Sequence, residues 1–126
     1  MPALETLPGL RVVATPDALD GARWSDGTIV LRFAPDDAFG LGAIEAAVTD
    51  EHLIVVPETG FVGAWLTGDQ LRDLVLPHVE WPLPDERPAL AQGLIAGVPA
   101  KLWLGDDRAL LLCAAAYARE LSDRLG

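Results

Sequence analysis

The sequence predicts an α+β fold, a mainly antiparallel sheet carrying two amphipathic helices. Three features indicate this fold: apolar runs joined by very short turns over residues 89–113, a capping-box sequence at Thr67, and apolar side chains at helical spacing over residues 114–125. Short turns are too brief for parallel crossovers, so the strands they join should be antiparallel neighbours. Strands followed by helices, without regular alternation, are typical of α+β proteins.

The first half of the chain is predicted to consist of short strands and turns. Residues 10–13 and 28–33 are β-prone runs bounded by proline, glycine and aspartate. A short helix could begin at residues 15–17. Residues 39–48 fit either a strand or a helical turn, because short apolar runs do not separate the two, and we favour the strand.

The middle of the chain is predicted to form a β-hairpin followed by a helix. Residues 52–57 and 61–66 are apolar runs separated by a turn ending in Gly60, which can adopt the positive φ of a tight reversal. Thr67 and Gln70 have capping-box spacing, and Leu66 and Leu71 stand at the positions of a hydrophobic staple. A helix should therefore begin at Thr67, with an inward stripe of Leu71, Leu74 and Val75 and an end at Pro77.

The last part of the chain gives the clearest pattern. Three apolar runs, residues 89–95, 98–104 and 108–113, are separated by turns at Gly97 and at residues 105–107. They are predicted to be antiparallel neighbours. A final helix over residues 114–125 would place one set of side chains on its inward face: Ala114, Tyr117, Ala118, Leu121 and Leu125.

Composition narrows the classes of protein. A chain of 126 residues that is 51% hydrophobic and 22% charged should fold as one domain, residues 1–126, and not remain disordered. Its net charge of −10 repels nucleic acid and anionic membrane surfaces. The single cysteine, Cys113, cannot form an internal disulfide, and no secretory signal or membrane span is evident, so we expect a cytoplasmic protein.

Residues 65–125 resemble a known family. The segments that carry the resemblance are residues 66–74, the loop 79–83, the strand-turn-strand 91–98, and the closing strand 110–112 with helix 117–121. They are similar to the gamma subunit of heterotetrameric sarcosine oxidase and, more distantly, to the folate-binding domain of glycine-cleavage aminomethyltransferases. Asp69 and Gly93 depart from that family's pattern. The resemblance implies a half-barrel fold and a non-catalytic role beside a larger flavoenzyme or transferase.

The titratable residues do not form a recognisable reactive motif. His52 and His78 lack the spacing of paired metal ligands, and Cys113 lies in a strand-helix junction typical of a small core residue. The acidic pairs 36–37, 50–51, 85–86 and 106–107 fall in predicted turns, where solvation explains them. We therefore predict no catalytic residue, no metal site and no cofactor.

Aromatic residues supply the partner-contact candidates. Trp65 and Trp103 fall in apolar strands and are expected in the core, whereas Trp24 and Trp81 lie in turn-rich segments. Tryptophan is enriched at protein interfaces. Phe61 and Trp65 belong to a glycine-rich strand that permits a close backbone approach. The predicted contact residues are Trp81, Trp24, Phe61 and Trp65, facing a protein partner or a second copy.

These observations favour a non-catalytic accessory or protein-interaction domain. One alternative is a domain that binds a small ligand or a one-carbon, folate-like cofactor. A further alternative is a small enzyme that uses acidic loop residues. A deep polar pocket would favour the ligand-binding domain, and a strongly shifted carboxylate or histidine inside such a pocket would favour the enzyme.

Overall fold

The computed structural model describes all residues, Met1–Gly126, and consists mainly of short strands with a few helical turns. The strands are β1 (Glu5–Thr6), β2 (Gly9–Val13), β3 (Arg23–Trp24), β4 (Ile29–Ala34), β5 (Asp37–Leu41), β6 (Ala46–Ala47), β7 (Ile54–Glu58), β8 (Phe61–Thr67), β9 (Ala89–Ile95), β10 (Val98–Leu104) and β11 (Arg108–Ala114). The α-helices are α1 (Pro16–Asp20), α2 (Gly68–Gln70) and α3 (Ala118–Leu125). All strand pairs are antiparallel, which confirms the predicted α+β class.

The chain divides into two compact units. The first contains residues 1–6 and 60–126, and the second contains residues 7–59. The prediction of a single domain over residues 1–126 stays a prediction. None of the helices has the length and apolar character that crossing a bilayer requires.

The first unit is built on a five-stranded sheet in the order β1-β8-β11-β10-β9. The predicted succession of strands over residues 89–113 is confirmed, with Leu102 of β10 lying between Ala91 of β9 and Leu111 of β11. Ala96 and Gly97 form the two-residue turn between β9 and β10, and both have positive φ, 51° and 78°. Two positive φ values match the turn geometry that suits the twist of a hairpin.

One face of this sheet forms the main core of the first unit. Its strands supply Ile95, Leu102, Leu104 and Leu111, and each is at most 1% exposed. Leu121 and Leu125 of α3 pack into the same cluster. The predicted inward residues of α3 are thereby confirmed at these two positions, because apolar side chains four residues apart share one helix face.

The helical segment after β8 begins as predicted. The Thr67 hydroxyl accepts a hydrogen bond from the Gln70 amide at 3.1 Å, and the Gln70 side chain accepts one from the Thr67 amide at 2.9 Å. After α2 the chain makes a π-helical turn, Leu71–Val75, and a 3-10 turn, Leu76–His78. Pro77 does not end the helical segment before itself, because it stands in the first residues of the 3-10 turn, where its missing amide is not needed.

The predicted final helix is wrong in its first four residues. β11 continues through Ala114, which pairs with Phe61 of β8, and the Ala115 amide then donates to the Gly60 carbonyl at 2.8 Å. A 3-10 turn over Ala115–Tyr117 precedes α3. Tyr117 is 40% exposed and does not lie on the inward face. Pairing with β8 keeps Ala114 in an extended conformation, so α3 begins only at Ala118.

The second unit contains a four-stranded sheet in the order β4-β5-β2-β7 and the two-stranded ribbon β3-β6. A small core of this unit consists of Val12, Ala14, Leu19 and Ala38, and Leu31 and Phe39 are also fully buried. Leu19 comes from α1, which Thr15 caps by accepting a hydrogen bond from the Ala18 amide at 3.3 Å. The short helix and the strand over part of residues 39–48 thus both occur.

An ion-pair group ties three strands of the second unit together. Arg11 of β2 donates to Asp37 of β5 at 2.6 Å and to Glu58 of β7 at 3.0 Å. All three side chains are about one-quarter exposed, and the carboxylates raise the pKa of Arg11. The expectation that Asp37 belongs to a solvated turn is wrong, because β5 begins at this residue and places it beside Arg11.

The predicted hairpin of residues 52–57 and 61–66 is also wrong. Both strands form, but β7 pairs with β2, whereas β8 pairs with β1 and β11. Gly60 is not among the glycines with positive φ. Proximity in sequence favours a hairpin, but strands distant in sequence provide the actual hydrogen-bond partners.

Asp50 gives the second unit an acid-sensitive contact. Its carboxylate accepts hydrogen bonds from the Thr15 amide at 2.8 Å and the His52 amide at 2.9 Å, and these bonds lower the pKa of Asp50. A lowered pKa in the folded state stabilises the protein above the ordinary value of 3.8, and this contribution is lost as the pH falls through the folded-state pKa.

We therefore expect the pH dependence of unfolding below about pH 4 to be shallower in Asp50→Asn than in the wild type. The measurement is urea denaturation at several pH values between neutral and acid. Asp26→Asn, at an exposed turn, is the control and should keep the wild-type slope. Equal slopes for wild type and Asp50→Asn would contradict the assignment.

Candidate partner-contact surfaces

Trp81 lies in the loop before β9 and is anchored on the first unit. Its indole covers Gly93, where an added Cβ would stand 2.7 Å from Cε2 of the ring. The indole N–H donates to the Leu94 carbonyl at 2.8 Å. Trp81 also packs against the main core and is only partly exposed. Gly93, a departure from the family pattern, is therefore the residue that admits the Trp81 ring.

A groove of about 490 Å³ lies beside the Trp81 ring. Its lining comprises Pro77, His78, Glu80, Trp81, Leu94, Ala96 and Gly97. Leu94 is 56% exposed, and His78 and Glu80 supply polar atoms to the lining. Arg124 of α3 donates to the Ala96 carbonyl at 2.8 Å, which fixes the turn at the end of the groove.

Trp81→Phe should lower the free energy of unfolding by about 1 kcal/mol, because phenylalanine keeps most of the ring packing and loses the hydrogen bond to Leu94. Urea denaturation followed by circular dichroism measures the change without relying on the substituted fluorophore. Tyr117→Phe, which removes a hydroxyl from an exposed aromatic side chain, is the control. Equal stability of Trp81→Phe and the wild type would show that the hydrogen bond contributes nothing.

Trp65 and Trp103 form an aromatic cluster with Arg108 on the sheet face opposite the main core. The two indoles meet edge to face, with ring centroids 5.8 Å apart, and Cζ of Arg108 lies 3.8 Å from the Trp65 centroid. Leu110 stands between the two rings in the strand register and is fully buried. The expectation that both tryptophans are core residues holds in part, since each is only half-buried.

Of the other two predicted contact residues, Phe61 shares the Trp65 face of β8, because strand residues four apart point the same way. Phe61 is partly buried. Trp24 belongs to the second unit, where it packs on Gly40 and on the small core. The structure thus places Phe61 and Trp65 on one strand face, and holds Trp24 and Trp81 each against a glycine of its own unit.

The sequence reasoning missed the most exposed apolar segment, strand β7. Ile54, Val55 and Val56 are 54%, 38% and 45% exposed, and β7 is an edge strand of the second unit's sheet. The signal was the run of three β-branched residues, but the expected hairpin would have covered it. Contiguous exposed apolar residues commonly mark interaction sites.

The cysteine and the histidines do not form a reactive or metal-binding group. Cys113 is 1% exposed, and burial raises the pKa of its thiol, which keeps it in the unreactive protonated form. His52 lies on an exposed turn beside Glu51, with 3.6 Å between Nε2 and Oε1. No group of three or more histidine, cysteine, aspartate or glutamate residues stands close enough together to hold a metal ion.

The fold and these surfaces define an α+β protein of antiparallel sheets with short helices, carrying apolar side chains along one sheet edge. No family model matches the chain, and no curated protein matches it significantly. Among solved structures, its fold is similar to that of a chain of the heterotetrameric sarcosine oxidase from Corynebacterium sp. U-96, solved in complex with pyrrole 2-carboxylate. The TM-score is 0.70 at 16% identity, covering 97% of this chain and 79% of the other. The fold resemblance inferred from the sequence is thereby confirmed.

Proposed function

We propose that this chain is a non-catalytic accessory subunit, similar to the gamma subunit of sarcosine oxidase, that assembles with larger protein subunits. The observation that carries the proposal is the fold match over 97% of the chain to part of a heterotetrameric enzyme. The exposed apolar edge of β7 supports it, because accessory subunits need a surface that larger subunits can cover. The buried, protonated Cys113 suits a reducing cytoplasm.

The test is co-expression of the full chain with the flavin-dependent subunits of a heterotetrameric sarcosine oxidase from the same genome. Size-exclusion chromatography with light scattering should show one complex containing this chain at fixed stoichiometry. Elution of this chain apart from the oxidase subunits at micromolar concentrations would overturn the proposal. The measurement needs no assumption about which surface makes the contact.

The groove beside Trp81 favours a second candidate function, binding of a small ligand or of a one-carbon, folate-like cofactor. Its volume of about 490 Å³ and its mixed lining fit the size and character of small-molecule sites. Tetrahydrofolate is the probe, and its binding is followed by intrinsic tryptophan fluorescence, with Trp81→Phe identifying the contribution of Trp81. A saturable change that Leu94→Ser alters would support this function, and a response that does not saturate would contradict it.

A further inference from the structure

Strand β7 exposes apolar side chains on both of its faces. Ile54 and Val56 point to one face of the sheet and Val55 to the other, since strand residues alternate, yet all three are more than one-third exposed. β2 covers one long side of β7, and no strand pairs with the other. Apolar side chains along an unpaired edge are the usual template for addition of another strand.

The hydrogen bonds of β2 show which backbone groups of β7 face outward. The Pro8 carbonyl accepts from the Gly42 amide at 2.9 Å, and the Ala14 amide donates to the Asp36 carbonyl at 3.2 Å. Both even-numbered residues therefore point toward β5. Strand geometry alternates these directions, so odd-numbered β2 residues point toward β7.

The strand register shows which backbone N–H and C=O groups of β7 point toward β2 and which point away from the sheet. Arg11 and Val13 of β2 stand opposite Val56 and Ile54, which bond inward. Val55 and Pro57 stand opposite even-numbered β2 residues and so direct their backbone groups away from the sheet. The open edge offers the Val55 N–H, the Val55 carbonyl and the Pro57 carbonyl. Pro57 has no N–H, and a proline on an edge strand has its nitrogen on the unpaired side.

We propose that β7 binds an extended segment of the partner subunit, which adds to the sheet as an antiparallel strand. This inference rests on the proposed function, since it names the surface through which the accessory subunit would be held. A partner segment without proline supplies one acceptor and two donors, and satisfies all three outward groups of Val55 and Pro57. Apolar side chains on the segment would cover Ile54, Val55 and Val56.

A second copy of this chain fits the same edge less well. In the two-fold register centred on Val55, the two Val55 residues exchange two hydrogen bonds, but each Pro57 carbonyl faces Leu53, whose N–H already donates to the Asp50 carbonyl at 3.3 Å. In the register centred on Val56, each Val55 N–H reaches a Pro57 carbonyl and each Val55 carbonyl faces the proline nitrogen. Either register leaves outward acceptors unsatisfied, which buried interfaces avoid.

Charge also favours a partner segment over a second copy of this chain. Two copies that each carry a net charge of −10 repel one another. Glu51, with a side chain 87% exposed, lies just before β7. The partner segment should therefore carry lysine or arginine at its flank, where it would meet this carboxylate.

Val55→Pro tests the proposal, because it removes the outward N–H and leaves the inward bonds of Ile54 and Val56 in place. We expect binding of the oxidase subunits to weaken roughly tenfold or more, from the lost hydrogen bond and the blocked approach of the strand. Val30→Pro is the matched control, because Val30 stands opposite Gly40 on the other edge strand, β4, and also directs its N–H away from the sheet; it should bind normally. Hydrogen exchange on the wild-type protein gives an independent measurement: the Val55 amide should exchange quickly alone and slowly in the complex.

Pro57→Val tests the same geometry in the opposite direction. The substitution adds an outward N–H, so two copies could exchange four hydrogen bonds in the register centred on Val56. We expect light scattering to show a dimer for Pro57→Val and a monomer for the wild type. A Pro57→Val protein that stays monomeric at high ionic strength, where the repulsion between two net charges of −10 is screened, would contradict the outward orientation of residue 57.

A synthetic peptide of alternating threonine and valine with a lysine at each end separates this inference from the proposed function. If the oxidase subunits bind equally to wild type and Val55→Pro, and the Val55 amide stays unprotected, strand addition is overturned while the accessory function stands. If they do not bind but the peptide protects the Val55 amide, the accessory function fails and the strand-accepting edge stands. Failure of both probes overturns both, and a wild-type dimer that Val55→Pro dissolves would assign the edge to a second copy.

Discussion

Leu102→Ala is expected to lower the free energy of unfolding by about 3 kcal/mol. Leu102 is fully buried in β10, between Ala91 and Leu111, at the centre of the main core. Truncation removes apolar contacts and leaves a cavity that neighbouring strands cannot close without breaking their register. Equilibrium urea denaturation, followed by tryptophan fluorescence, gives the change directly.

Leu94→Ala is the matched control, because it makes the same chemical change on the neighbouring strand at a side chain that is 56% exposed. Its cost should stay below about 1 kcal/mol, since little apolar surface returns to water. Equal effects of the two substitutions would show that the Leu102 side chain does not lie in a packed core.

Gly9→Ala should destabilise the second unit by about 2–3 kcal/mol, the usual cost of forcing extra atoms into a packed site. A Cβ at Gly9 would overlap the Gly40 carbonyl oxygen and stand 2.7 Å from Cε1 of Phe39. Gly40 belongs to β5, which pairs with β2, so relief of the overlap must separate two hydrogen-bonded strands. Thermal denaturation and amide exchange in β2 and β5 measure this effect.

Gly68→Ala is the control, because no heavy atom lies within 4 Å of the Cβ it would add at the start of α2. It should leave stability unchanged or raise it slightly, since alanine favours a helix over glycine. A Gly9→Ala protein as stable as Gly68→Ala would contradict the close approach of β2 and β5.

The surfaces differ in what they can contribute to the proposed accessory role. Trp81 and Trp24 are each seated on a glycine of their own unit, so much of their apolar area is already used for stability. Strand β7 is different, because its apolar side chains and the outward groups of Val55 and Pro57 face no other part of the sheet. Substitutions at Trp81 should therefore act first on stability, and substitutions at Val55 on assembly.

Local chemistry determined the strands of the last part of the chain and the start of the helix at Thr67. Residues 89–104 form two apolar runs with a two-residue turn between them, and the capping box needs only Thr67 and Gln70. Such features depend on residues close in sequence, which is why pattern and side-chain chemistry suffice to predict them. The resemblance to sarcosine oxidase, carried by the same segments, was likewise visible in the sequence and agrees with the fold.

Only the tertiary structure decided which strands pair across long separations. β7 joins β2 and not β8, Asp37 meets Arg11, and Ala114 extends a strand where the periodicity indicates a helix. Each outcome depends on a partner 26 or more residues away, and residue pattern specifies a strand's propensity but not its neighbour. The open edge at Val55 could therefore not be predicted from the sequence, because a strand is an edge strand only by virtue of how the other strands of its sheet pair.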